Sequence, residues 1–107
     1  MVSEKFCIVL TTTSNQKSSE RLINELLKKK LAACIQVMPI NSHYVWEGEV
    51  CNQNEVLLII KTKKACYSAL EKTVCALHEY DVPQIVQVPV IEGFAPYLSW
   101  LEDCTES

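Results

Sequence analysis

The sequence predicts one α+β domain over residues 1–107, ferredoxin-like in order, β-α-β-β-α-β. Its four strands should take the sheet order 4-1-3-2, with an extended hairpin between strands two and three and a short C-terminal helix. Three observations carry this expectation. Segments rich in β-branched residues alternate with two stretches whose apolar residues recur every three or four positions. The prolines that touch strand segments, Pro39, Pro83 and Pro89, all fall in the second and fourth of them. No linker, repeat or low-complexity stretch divides the chain.

Residues 6–13 read as strand one, dense in Val, Ile and Thr. Residues 18–30 read as helix one, with Leu22, Ile23, Leu26 and Leu27 on one stripe and Lys28, Lys29 and Lys30 at the dipole's negative end. Strand two covers 31–37, is interrupted at Pro39, and resumes over 42–46. Glu47-Gly48 is the turn, and strand three covers 49–62. Helix two spans 64–78, where Cys66, Leu70, Val74 and Leu77 repeat at helical spacing. Strand four covers 83–90, and Pro96 opens a third helix carrying Leu98, Trp100 and Leu101. Proline cannot donate to a ladder, so strands two and four belong at the edges and strands one and three at the centre.

The hairpin is long for this fold. Its outer part, 41–54, should project beyond the sheet while carrying Tyr44, Val45, Trp46 and Val50. A projecting strand pair with large apolar side chains invites pairing with another copy of the chain, so Tyr44, Trp46 and Val50 are the expected subunit interface.

Charge and composition exclude several roles. The chain carries 10 Lys and Arg against 13 Asp and Glu, a net charge of −3, where a duplex-binding domain would show a basic face. The apolar run 56–60 is too short to span a bilayer. The opening Met-Val-Ser-Glu-Lys does not read as a secretory leader, so none is expected. The expectation is a cytoplasmic protein with no nucleic-acid or membrane partner. The six cysteines lack Cys-x-x-Cys spacing and read as reduced thiols. His78, at the end of helix two and beside acidic residues, is the candidate polar anchor or metal ligand. Lys61-Thr62-Lys63-Lys64, where a strand ends and a helix begins, is a candidate anion site without a glycine cradle. No nucleophile–base pair stands out, so the chain is not expected to be an enzyme.

Six short motifs then point to a family. They are Val9-Leu10-Thr11-Thr12, Leu31-Ala32-Ala33-Cys34, Tyr44-Val45-Trp46-Glu47-Gly48, Ile60-Lys61-Thr62, His78-Glu79-Tyr80-Asp81-Val82-Pro83 and Tyr97-Leu98-Ser99-Trp100-Leu101. In this order and spacing the chain closely resembles the CutA family of divalent-cation tolerance proteins over almost its whole length. The resemblance implies a ferredoxin-like subunit in a homotrimer, a cytoplasmic location, and a link to copper or another divalent metal. It also implies an inter-subunit cleft near His78, Tyr80, Lys61 and Trp46. The family's copper site has been placed at a Cys where this chain has Thr11 and at two adjacent His where it has Leu77 and His78. His78 is therefore the metal ligand that the resemblance retains. The alternative is a trimeric regulator similar to PII-type signalling proteins, binding a small molecule or a partner protein.

Overall fold

The structure, a computed structural model, describes residues 5–106; residues 1–4 of the opening stretch read above as no leader lie outside them. The elements are β1 (Phe6–Thr13), α1 (Gln16–Lys28), β2 (Cys34–Trp46), β3 (Glu49–Lys63), α2 (Tyr67–Leu77), β4 (Ile85–Pro89) and α3 (Ala95–Asp103). One four-stranded antiparallel sheet has the order β2-β3-β1-β4, which is the predicted 4-1-3-2 read from the other edge.

Alternation along the strands sorts the sheet into two faces. Cys7 and Val9 of β1 and Leu58 and Ile60 of β3 lie under the helices, against Leu22 and Leu26 of α1 and Leu70 and Val74 of α2. Each such fully buried aliphatic side chain contributes roughly 1.5–3 kcal/mol. The opposite face carries Ile8, Leu10, Leu57 and Ile59, with Met38, Val86 and Val88 more than two-fifths exposed.

Boundaries moved where local chemistry overrode the apolar pattern. Asn15 caps α1 by accepting the Ser18 N–H at 2.9 Å, so the helix starts two residues earlier than predicted. It closes at Lys28, and Lys30 reverses the chain at φ 57°. Residues 31–33 are not strand: Leu31 N–H returns to the Leu26 carbonyl at 3.0 Å and its side chain joins the core. Pro39 does not interrupt β2, because the register runs unbroken from Cys34↔Lys61 to Trp46↔Glu49. An edge strand has one unpaired side, where a missing N–H costs nothing. A 3-10 turn, Lys64–Cys66, precedes α2, and His78 already has extended backbone. Pro83 lies ahead of β4 rather than within it.

The two-residue turn at Glu47-Gly48 has φ of 49° and 80°, the left-handed pair that matches strand twist in a tight hairpin. Beyond it the β2–β3 arm projects from the body. The radius of gyration is 14.5 Å, against about 13 Å for a compact chain of this length.

Candidate functional site

Three consecutive residues after α2 fasten three different elements. His78 Nε2 lies 2.7 Å from the Thr12 carbonyl at the end of β1. Glu79 accepts from the Ser14 hydroxyl and from its N–H ahead of α1. The Tyr80 hydroxyl donates to Glu55 Oε2 of β3 at 2.9 Å. The segment leaving α2 thus stitches the end of the sheet to the base of the arm.

The bonds decide the tautomer of His78. Its Nδ1 accepts the Tyr80 N–H at 3.0 Å, so the proton sits on Nε2 and donates to Thr12. Both ring nitrogens are committed to backbone, and the ring stacks obliquely on Tyr80 with centroids 4.8 Å apart.

Tyr80 anchors a second chain of bonds. Gln53 Nε2 donates to the Tyr80 oxygen at 2.9 Å, and the Tyr44 hydroxyl donates to Gln53 Oε1 at 2.6 Å. Burial, and then the bond to Glu55, push the Tyr80 hydroxyl up to about 12, so it keeps its proton. Glu79 moves the other way, its carboxyl held below the usual value by the Ser14 hydroxyl.

Period two along the arm puts Ser42, Tyr44, Trp46, Gln53 and Glu55 on the face away from the helices. With Thr12, Tyr80, Asp81, Val82 and Gln84 they line an open cleft of about 760 Å³. His43 borders it from the arm's other face, where its Nδ1 is 2.9 Å from Asn52 Nδ2 in a ladder with Asn41 and Asn54.

The cleft that the resemblance implies lies between subunits; within one chain its residues fall in two places. Trp46 and Tyr80 line the open cleft, and His78 sits behind Tyr80. Lys61 is elsewhere: it pairs with Cys34 and Ile8 near the far end of the sheet, its ammonium 5.5 Å from the Tyr97 ring centroid. The basic turn after it is no anion cradle either, since buried Lys63 donates to the Thr105 carbonyl at 3.1 Å.

The metal expectation meets the same geometry. Thr11 is fully buried among the helix-facing residues and Leu77 packs on that core, so neither position opens to a cation. Among the described residues no group of three His, Cys, Asp or Glu side chains is placed to hold a metal ion. A metal would reach His78 only by displacing Thr12 or Tyr80. The residues present do not fit a metal centre within one chain.

The sequence analysis assigned no site role to Gln53, Glu55, Thr12 or Asp81, which the structure places in the cleft lining. The available signal was the two-residue spacing of Gln53 and Glu55, in register with Ser42 and Ile40.

Comparison with known proteins gives a consistent match. Residues 7–104 fit the family model described as CutA1 divalent ion tolerance protein. The chloroplastic CutA protein of Arabidopsis thaliana is 41% identical over 101 residues, covering 94% of this chain and 56% of that one. The divalent-cation tolerance protein CutA of Thermus thermophilus is 38% identical over 99 residues, covering 92% of this chain and 96% of that one. The crystal structure of CutA1 from Oryza sativa superposes with a TM-score of 0.93 at 40% identity, covering 96% and 95% of the two chains. This chain spans about 56% of the length of its plant sequence relatives and nearly all of the bacterial one.

Proposed function

This chain belongs to the CutA1 divalent ion tolerance family, and from that premise we propose that it serves divalent-cation tolerance as a homotrimer that acts by binding rather than by catalysis. One observation carries the reading. The projecting arm leaves Val45 68%, Trp46 58% and Val50 82% exposed. Large apolar side chains on a strand pair at this exposure favour burial against another subunit.

The sheet order supports a ring. The arm extends from β2–β3 at one edge, and β4 lies at the other. A contact from arm to β4 edge joins unlike patches, and such head-to-tail contacts are satisfied by closing a ring rather than by a two-fold dimer. The apolar sheet face with Met38, Val86 and Val88 would be covered by the same ring.

Absence of catalysis is part of the proposal. Both ring nitrogens of His78 bond to backbone groups and the Tyr80 hydroxyl keeps its proton, an arrangement that supports a structural role for the pair. The six cysteines are all unbonded, which fits a reducing compartment such as the cytoplasm.

The test is native mass, measured on the reduced protein and on Trp46→Asp. A trimer in the first and a smaller species in the second is expected, because the new carboxylate would be buried unpaired. A wild-type monomer would sink the assembly reading. An intact trimer in the variant would remove Trp46 from the interface.

A further inference from the structure

We infer that the end of the sheet carrying Lys61, Tyr97 and Trp100 receives the arm tip of a second copy of this chain, and that the Glu49 carboxylate at that tip pairs with the Lys61 ammonium. The inference rests on the assembly reading above and names the surface on which the arm docks.

Lys61 is a cation on apolar surface. It is in register with Cys34 and Ile8, and Ile8 with Val88, which puts it on the face of the sheet away from the helices. Its ammonium lies 5.5 Å from the Tyr97 ring centroid, and the Tyr97 and Trp100 centroids are 5.6 Å apart. Among the described residues the ion pairs are Lys5–Glu102 and Lys29–Glu25, and neither involves Lys61. Lys63, two residues on, is buried against the Thr105 carbonyl. The surface around Lys61 is open, with Val88, Tyr97 and Trp100 each more than a third exposed. Once such a surface is covered, the ammonium loses water, and a carboxylate brought by the covering partner restores its stability.

The arm tip is the complement. Trp46 and Glu49 are cross-strand partners and share a face, and period two along β3 makes it the face that carries Lys61. Glu49 is exposed and makes no ion pair among the described residues. The tip thus presents one large ring and one carboxylate, and the sheet end presents two rings and one ammonium. Matched charge and matched apolar surface set the register of such a contact.

One chain cannot make this contact with itself. Glu49 and Lys61 stand on one strand, separated by about 40 Å at roughly 3.3 Å per residue, nearly the full 44 Å length of the molecule. A contact between opposite ends of one face is head-to-tail, the kind that closes into a ring. Met38 and Val86, exposed on the same face between the two ends, come under the same cover.

The experiment exchanges the two charges. Native mass is followed on dilution in mild urea for wild type, Glu49→Lys, Lys61→Glu and the double exchange. Each single variant sets like charges together and is expected to raise the concentration of half-dissociation about tenfold or more. The double exchange is expected to return it to within about threefold of wild type. Glu49 lies on the exposed arm, so Glu49→Lys reads the interface without touching the core. Should Lys61→Glu disturb the fold, Lys61→Met, which keeps an apolar stem, takes its place and should relieve the effect of Glu49→Lys. A wild-type trimer unmoved by Glu49→Lys, or a paired variant no tighter than Glu49→Lys alone, would overturn this inference and leave the assembly reading standing. A wild type that is monomeric at every concentration would overturn the assembly reading and this inference with it.

Discussion

His78 donates through Nε2 to the carbonyl of Thr12 at 2.7 Å, across 66 residues of sequence, and thereby ties the end of α2 to the end of β1. A histidine at the position the family resemblance aligns with a metal ligand is, in this chain, a backbone clamp. His78→Ala is expected to lower stability by roughly 1–3 kcal/mol, because it strands a partly buried carbonyl and the Tyr80 N–H. Copper uptake, measured by calorimetry on wild type and variant, should be the same in both. One copper per chain, lost in the variant, would show that the metal displaces the clamp.

Thr11 is 0% exposed and its hydroxyl has no hydrogen-bond partner among the described residues. Valine has nearly the same shape without the unsatisfied group. Thr11→Val should therefore raise stability by about 1 kcal/mol in urea unfolding. A loss of similar size would reveal a partner for the hydroxyl, such as a buried water.

Glu47 adopts φ 49° in the hairpin turn, a conformation that costs an ordinary side chain. Asn-Gly suits both positions of a two-residue turn of this kind. Glu47→Asn should stabilise the chain by about 0.5–1 kcal/mol without altering its mass in native buffer. An unchanged unfolding midpoint would mean that the turn is not at equilibrium strain.

Burial pushes the Cys7 thiol from 9.0 up to about 11, with Cys66 adding to the shift and Lys64 opposing it. The folded state holds this proton more tightly than the unfolded state. Its contribution is therefore complete below about pH 9 and is lost as pH rises towards about 11. Tyr67, raised mainly by its bond to Glu71, and Tyr80, raised mainly by burial, extend the loss from about 10 to about 12. Urea midpoints across this window should fall, and fall less steeply in Cys7→Ala. A flat wild-type profile would contradict the assignment.

Much of the fold was legible in sequence because it rests on short-range periodicity. The density of β-branched residues over 6–13 and the stripe of Leu22 and Leu26 are local patterns that a strand and a core-facing helix must carry. The edge placement of β2 followed from Pro39, since a missing donor is tolerated where one side of a strand is unpaired. The Glu47-Gly48 turn followed from the glycine. The interruption expected at Pro39 did not occur for the same reason that placed it at an edge.

The candidate site was legible only in part. Trp46 and Tyr80 could be singled out, but not that they would share a cleft with Glu55 and Asp81 while Lys61 went to Tyr97. The sequence by itself determined the order of elements, the strand order, the tight turn and the family, all consequences of local periodicity or of motifs in series. Only the tertiary structure decided that His78 is a clamp, that Thr11 is core, and that the cleft is acidic and aromatic. Those outcomes depend on which side chains meet across separations such as the 27 residues between Gln53 and Tyr80 and the 66 between Thr12 and His78. Such meetings are set by sheet register and by the path of one loop, which no local pattern encodes.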